Sequence, residues 1–329
     1  MDSNEAKKLV SETGMELVGK KLVARTWGNI SARVDKTHFA ISPSGLAYDI
    51  MTPEDVPVYD MENESYEGLR KPSSEKKIHA AAYRVFDDVN FVIHTHQDYA
   101  TAVGLVGTDI IEMTAEEKAL LGEIRVAGYG LPGTGGLKKN VEKEMLAGSK
   151  VVLMLHHGAV ICAADRAEAV RKAEVLEKVC KRVVDKHLPN ISASAGRLSE
   201  TFLIACKDAV VISDPEVKAI AEGGNFRCQI DDIAQMIGSK IRVVPGDDMH
   251  LLRGLNRQDL VLVKGVGAVI FTEDPDDAEA LSMLIRKSAI CKLLTDSMNR
   301  KRALSGFDCT LMRFVYKKKY SKQKGAAHD

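Results

Sequence analysis

Asn90-Phe91-Val92-Ile93 is a short apolar run, partly β-branched, and it ends in His94-Thr95-His96. Such a run reads as a buried strand, and a strand sends successive side chains to opposite faces. His94 and His96 therefore point the same way, about 7 Å apart along the backbone, close enough to lean onto one cation. A second apolar run, Val151-Val152-Leu153-Met154-Leu155, delivers His156 and His157. Gly158 follows and lets the backbone turn sharply and approach a neighbour. A fold that uses all of this must bring two strand ends, distant in sequence, to one place. Three protein ligands with a fourth position left open is the arrangement of a catalytic zinc. An isolated His-x-His is often only a hydrogen-bonded strand end; the second cluster, together with a Ser-Ser-Glu helix start, turns the pattern towards metal chemistry.

The remaining composition limits the setting. A chain of 329 residues with 45% hydrophobic content has room for two cored domains. Lys+Arg and Asp+Glu both total 46, so no global charge argues for nucleic acid or a membrane surface. The basic stretch from Arg313 through Lys317-Lys318-Lys319 to Lys324 reads as a solvated terminus. Cys162, Cys180, Cys206, Cys228, Cys291 and Cys309 show no Cys-x-x-Cys spacing, which speaks against a disulfide scaffold and suits a reducing cytoplasm. Residues 1–20 lack a signal-peptide core and no run approaches membrane-spanning length, so a soluble cytoplasmic protein is expected.

In chain order, residues 3–20 predict an amphipathic helix with Ser3 as N-cap. Strands are expected over 27–34 and 37–42, the second ending in the turn Ser42-Pro43-Ser44-Gly45. Thr52-Pro53-Glu54-Asp55 reads as a short helix start. Lys71-Pro72-Ser73-Ser74-Glu75 opens a helix that runs through His79 to Tyr83. Two hydroxyls, free backbone N–H groups and the helix dipole make that start an anion pocket, although an ordinary capped helix has the same look. Glu75 stands in the first turn and His79 one turn on, along the same face. Gly128-Tyr129-Gly130-Leu131-Pro132-Gly133-Thr134-Gly135-Gly136 is not a dinucleotide fingerprint, since no βαβ unit carries a Gly-x-Gly-x-x-Gly turn there. His157 to Cys162 predicts a strand pairing back on Val151–Leu155, and Asp165 caps a helix reaching His187.

Leu188 to Gly196 is the best linker, dividing the chain into 1–190 and 197–329. The second part echoes the first. Ile241 to Val244 resembles Ile124 to Ala127, and Leu260 to Ile270 resembles Val151 to Ile161. Ala209 to Asp214 falls where Phe91 to His96 would. The ligand places then read Ile212, Asp214 and Val266, so a degenerate partial repeat without the metal is expected.

Gly28-Asn29-Ile30-Ser31, Ser42-Pro43-Ser44-Gly45, Ser73-Ser74-Glu75 with His79 and Tyr83, His94-Thr95-His96 and His156-His157-Gly158 stand in one order over residues 1 to about 187. In this the chain resembles the class II aldolase/adducin family. The resemblance implies an α/β fold: α/β/α layers around a mostly antiparallel central sheet, with a second, smaller α/β domain as the partial repeat. It implies Zn2+, or another divalent metal, on His94, His96 and His157; Glu75 as catalytic acid/base; and substrate phosphate on Asn29, Ser44, Gly45, Ser73 and Ser74. The implied partner is a small phosphorylated sugar, and the implied assembly a homo-oligomer with active sites near subunit or domain interfaces. The implied reaction is reversible cleavage of a ketose 1-phosphate to dihydroxyacetone phosphate and an aldehyde. Epimerisation, dehydration or decarboxylation on the same scaffold are the alternatives, with a non-catalytic adducin-like module behind them. Family aldolases also use tyrosines from a neighbouring subunit and from the C-terminal tail. Glu112-Met113-Thr114 has none, and only Tyr316 or Tyr320 lies near the end of this longer chain.

Overall fold

The computed structural model describes residues 1–189, 191, 196–300 and 302–326, which form two compact units, Met1–Val183 and Val184–Asp329. In the first unit the order is α1 (Ser3–Gly19), β1 (Asn29–Arg33), β2 (His38–Ile41), β3 (Val58–Asp60), β4 (Ser65–Glu67), α2 (Lys76–Val85), β5 (Phe91–Thr95) and α3 (Asp98–Val106). It continues with α4 (Ala115–Leu121), β6 (Ile124–Ala127), α5 (Gly135–Leu146), β7 (Val151–Met154), β8 (Gly158–Ala163) and α6 (Arg166–His187), along which the unit boundary falls. The sheet runs β4-β3-β2-β1-β5-β8-β7-β6, and every neighbouring pair is antiparallel except β6 with β7. The α/β class with a mostly antiparallel central sheet is therefore as the resemblance implied.

β5, β7 and β8 are buried on both faces, which is why they read as unbroken apolar runs rather than alternating ones. One face of the sheet is covered by α2 and α5, whose Ala80, Ala81, Ala82, Leu137, Val141 and Met145 pack on Phe39, Val92, Val152 and Val160. Three alanines in a row, Ala80-Ala81-Ala82, let α2 lie close to the sheet, so Glu75, His79 and Tyr83 are drawn inward with it. Asp2, not Ser3, caps α1: its carboxylate accepts from the backbone N–H groups of Asn4 and Glu5. Pro53–Asp55 forms a 3-10 turn with a capping box rather than a longer helix.

The second unit contains α7 (Glu200–Ala205), β9 (Val210–Ile212), α8 (Pro215–Ala221), β10 (Phe226–Arg227), α9 (Asp231–Ile237), β11 (Lys240–Ile241), β12 (Val243–Val244), α10 (Asp248–Leu255), β13 (Leu260–Val263), β14 (Gly267–Ile270), α11 (Pro275–Ser297) and α12 (Gly306–Ala326). Its larger sheet runs β12-β13-β14-β9, parallel across β12 and β13 and antiparallel elsewhere. That is the order and sense of β6-β7-β8-β5. Phe202 of α7 packs with Leu251, Val261 and Val263, as α2 packs over α5 and β7.

Pairing fixes the register between the two sheets. Thr95 pairs with Ala159 and His94 with Val160, whereas Ile212 pairs with Ala268 and Val211 with Val269. The places of His94, His96 and His157 are thus taken by Val211, Ser213 and Val266, one residue earlier on β9 than the sequence alignment of Ile212 and Asp214. The backbone from Arg313 to Lys324 is helical within α12, not a frayed tail, while the side chain of Tyr320 and most of the Leu188–Gly196 linker lie outside the described residues. No helix among the described residues is long and apolar enough to cross a membrane.

Candidate active site

β5 and the β7–β8 turn deliver the three histidines. His94 is inside the last turn of pleat on β5, His96 lies one residue beyond it, and His157 sits in the turn entering β8. One ring nitrogen from each lies within 4.8 Å of the others. The rings of His94 and His157 stack at 5.0 Å between centroids, and the His96 ring stands edge-on to His157 at 4.7 Å. His94 and His157 are buried and His96 is half-buried, so the cluster is reached from one side.

Two glycines make this convergence feasible. A Cβ on Gly158 would sit 2.1 Å from the Thr95 carbonyl oxygen and 3.2 Å from Cε1 of His94. A Cβ on Gly28 would sit 2.5 Å from the His94 carbonyl oxygen, and its φ of +83° already favours glycine. The end of β5 is thus gripped between two backbone segments that carry no side chain. His156, just before the last ligand, holds a φ of +70°, an uncommon left-handed value for a residue with a Cβ. Tyr129 from the glycine-rich loop stands edge-on against its ring at 5.2 Å.

Glu75 stands at the N-cap of α2, where the sequence placed it in the first turn. Its Oε1 lies 3.1 Å from Nε2 of His157 and its Oε2 3.2 Å from Nε2 of His94. Burial raises the tendency of this carboxyl to stay protonated, but the charges of His157 and His94 and their hydrogen bonds overcome it and hold the group well below the usual carboxylate range.

The donor set fits a divalent metal. Nδ1 of His94 is 2.9 Å from the Ala159 carbonyl oxygen, which can only accept, so the ring proton belongs on Nδ1. In the neutral ring, the form that binds a metal, Nε2 keeps its lone pair, 2.8 Å from Nε2 of His96 and 3.2 Å from Oε2 of Glu75. Lone pairs and an ionised carboxylate crowded together repel, and a cation among them removes the conflict. A carbonyl that fixes the ring tautomer is also the usual outer support of a metal-bound histidine.

The residues expected to hold phosphate lie beside this centre. Pro43 bridges Pro72 in antiparallel fashion, the Ser44 N–H donates to the Lys71 carbonyl at 2.9 Å, and the Ser73 N–H donates to the Ser42 carbonyl at 3.1 Å. The segments carrying Ser44, Gly45, Ser73 and Ser74 therefore run side by side. These bonds hold Ser73 outside the helix, Ser74 and Glu75 form a turn, and α2 starts at Lys76 and not at the serine pair. Asn29 is buried, and its side-chain amide donates to Oε2 of Glu75 at 3.1 Å.

The class II aldolase and adducin N-terminal domain matches residues 8–184, more than half of the sequence. The chain belongs to the class II aldolase and adducin family. As a member it is an enzyme of the metal-dependent aldolase kind. Over 165 residues it is 33% identical to a 5-deoxy-D-ribulose 1-phosphate aldolase of Bacillus thuringiensis, a match covering 50% of this chain and 77% of that one. It is equally 33% identical over 165 residues to an L-fuculose phosphate aldolase of Methanococcus maripaludis, covering 50% of this chain and 88% of that one. A solved L-fuculose 1-phosphate aldolase superposes with a TM-score of 0.51 at 28% identity, covering 62% of this chain and 95% of its own. The family match ends at residue 184, near the boundary of the first unit.

Two features escaped the sequence reading. His79, Ser31 and Tyr83 were matched as motif residues but given no part in the site, and the glycine grip on β5 was read only at Gly158. A Gly-Asn pair entering a strand and a glycine leaving a histidine turn are the signals that could have exposed the grip.

Proposed function

We propose that the first unit is a zinc-dependent aldolase that reversibly cleaves a small ketose 1-phosphate to dihydroxyacetone phosphate and an aldehyde. The observation that carries this reading is the meeting of three imidazoles from two distant segments with the buried carboxylate of Glu75. His94, His96 and His157 would hold the ion, which supplies Lewis-acid polarisation of the substrate carbonyl. In the bond-forming direction the ionised Glu75 takes a proton from the hydroxymethyl carbon of dihydroxyacetone phosphate. The electron pair left on that carbon forms the new bond to the aldehyde carbon, whose carbonyl π pair moves to its oxygen, and that oxygen takes up a proton from solvent. In cleavage the hydroxyl beside the breaking bond loses its proton to solvent and becomes the aldehyde carbonyl. The bonding pair passes to the hydroxymethyl carbon, and the protonated carboxyl then delivers its proton there.

Asn29, Ser44, Gly45, Ser73 and Ser74 would seat the phosphate, so that binding energy far from the reacting carbons fixes their position. The relatives' substrates, a deoxyribulose phosphate and a fuculose phosphate by name, are of the size this reading requires. Residues 197–329 are read as a degenerate partial repeat with a structural task, supported by the shared strand order and by Val211, Ser213 and Val266 at the ligand places. Elemental analysis combined with a panel of ketose phosphates, coupled to detection of dihydroxyacetone phosphate, tests the function. Stoichiometric zinc with release of that product is expected; a C4-epimer, a dehydrated sugar or carbon dioxide as sole product would replace aldol cleavage with another reaction.

A further inference from the structure

β1 and α2 face each other through an alternating row of polar side chains, all buried: Glu75, Asn29, His79, Ser31 and Tyr83. Glu75, His79 and Tyr83 recur every fourth residue along the α2 face, and Asn29 and Ser31 every second residue along β1. The two periods interleave, so each helix residue hydrogen-bonds the strand residue next to it. Asn29 Nδ2 lies 3.1 Å from Glu75 Oε2, His79 Nε2 lies 2.5 Å from Asn29 Oδ1, Ser31 Oγ lies 2.6 Å from His79 Nδ1, and Tyr83 Oη lies 2.7 Å from Ser31 Oγ.

Chemistry assigns the direction of every bond. An ionised carboxylate only accepts, so Asn29 turns its NH2 to Glu75 and its oxygen to His79. That oxygen also only accepts, so His79 carries a proton on Nε2. Burial drives the imidazole pKa down to about 3, which keeps the ring neutral, and Nδ1 is then an acceptor. Ser31 spends its one proton on Nδ1 and accepts the proton of the Tyr83 phenol. Arg33 braces the far end: its guanidinium stands 4.7 Å over the Tyr83 ring and donates to the Tyr83, Phe86 and Val89 carbonyls. The four hydrogen bonds thus form a single chain of donors pointing at Glu75.

We propose that His79 is a positioning residue for the aldol step: through its Nε2–H it locks the Asn29 amide so that an N–H faces Glu75, with Ser31 and Tyr83 fixing its tautomer. A flipped Asn29 would set a carbonyl against the carboxylate and swing Glu75 away from the reacting carbon. The route from His79 to Glu75 runs through the Asn29 amide. This inference rests on the aldolase reading, and its test is built to separate the two.

In the full chain with zinc, long-range 15N–1H correlation should show the His79 ring neutral with its proton on Nε2. A proton on Nδ1 overturns the inference whatever the activity. His79→Leu should keep full metal while kcat falls about 10–100-fold, the usual cost of removing an outer support, with a smaller rise in KM because Asn29 is one of the five residues that would seat the phosphate. His79→Gln, which can donate and accept at similar positions, should restore most of the lost kcat. A His79→Leu enzyme with normal kcat would refute the proposal, whatever its KM. If His79→Leu does not fold, Ser31→Ala substitutes for it: loss of the Nδ1 donor should mix the two tautomers and lower kcat, and an unchanged nitrogen spectrum counts against the idea. A wild-type enzyme that binds zinc but cleaves no ketose phosphate would defeat the function, leaving the nitrogen spectrum to decide His79.

Discussion

Gly158→Ala should unseat the metal through a single methyl group. The new Cβ would fall 2.1 Å from the Thr95 carbonyl oxygen, about 1.2 Å short of an ordinary carbon–oxygen contact. Neither side can give easily, since Thr95 pairs with Ala159 in the middle of the sheet and both partners are backbone. The end of β5 must therefore shift by something near 1 Å, and with it His94 and His96, whereas metal–ligand distances tolerate about 0.2 Å. Overpacking of this kind costs about 1–3 kcal/mol, or roughly 2–12 °C in melting temperature for a unit of this size. Gly267 supplies an internal control, because a Cβ there would meet the Ile212 carbonyl oxygen at 2.2 Å in a sheet whose ligand places are Val211, Ser213 and Val266. Calorimetry with elemental analysis should show destabilisation in both variants, larger for Gly267→Ala because its φ of +122° adds strain, and metal loss only for Gly158→Ala. A Gly158→Ala protein with unaltered melting and full metal would refute the idea that backbone contact sets the ligand geometry.

His96→Ala should lose bound metal and turnover together while the fold survives, since the ring is only half-buried; elemental analysis beside the activity assay checks it. Glu75→Gln should keep the ion and lose about 10²–10⁴ of kcat, the range for a general base, and full turnover in that variant would remove Glu75 from the chemistry. Acid should weaken the first unit through His79. Its folded pKa of about 3 lies below the unfolded value of 6.5, so the stabilisation is complete above 6.5 and is lost as pH falls towards 3. At pH 5 the loss comes to about 2 kcal/mol, and urea titrations at pH 7 and 5 should show it in the wild type but not in His79→Gln.

The strands that carry the histidines were legible because β5, β7 and β8 are buried on both faces and leave uninterrupted apolar runs. The start of α2 was not, because the Pro43–Pro72 bridge and the bond from Ser73 N–H to the Ser42 carbonyl, both to partners outside the helix, keep Ser73 out of it. The slip of one residue on β9 has a similar cause: Val210, Val211 and Ile212 are alike in hydrophobicity, and only the close approach of Gly267 to the Ile212 carbonyl marks the phase. The polar row between β1 and α2 joins residues 46 to 52 apart in sequence. Each partner looks ordinary on its own element, and only the packing of α2 on β1 makes them a row.

Keeping the strand order of β6-β7-β8-β5 while ending at β9 leaves the second unit with a border to guard. In the first unit β1 zips onto β5 and hides that flank; here β9 is outermost, and Val210 and Val211 are each 36% exposed. A long, flat flank of this kind would recruit stray chains. The border is held to three residues, with Lys207-Asp208 before it and Asp214-Pro215 breaking the run after it. Lengthening it, for instance by replacing Pro215, would turn a tolerated margin into a sticky one.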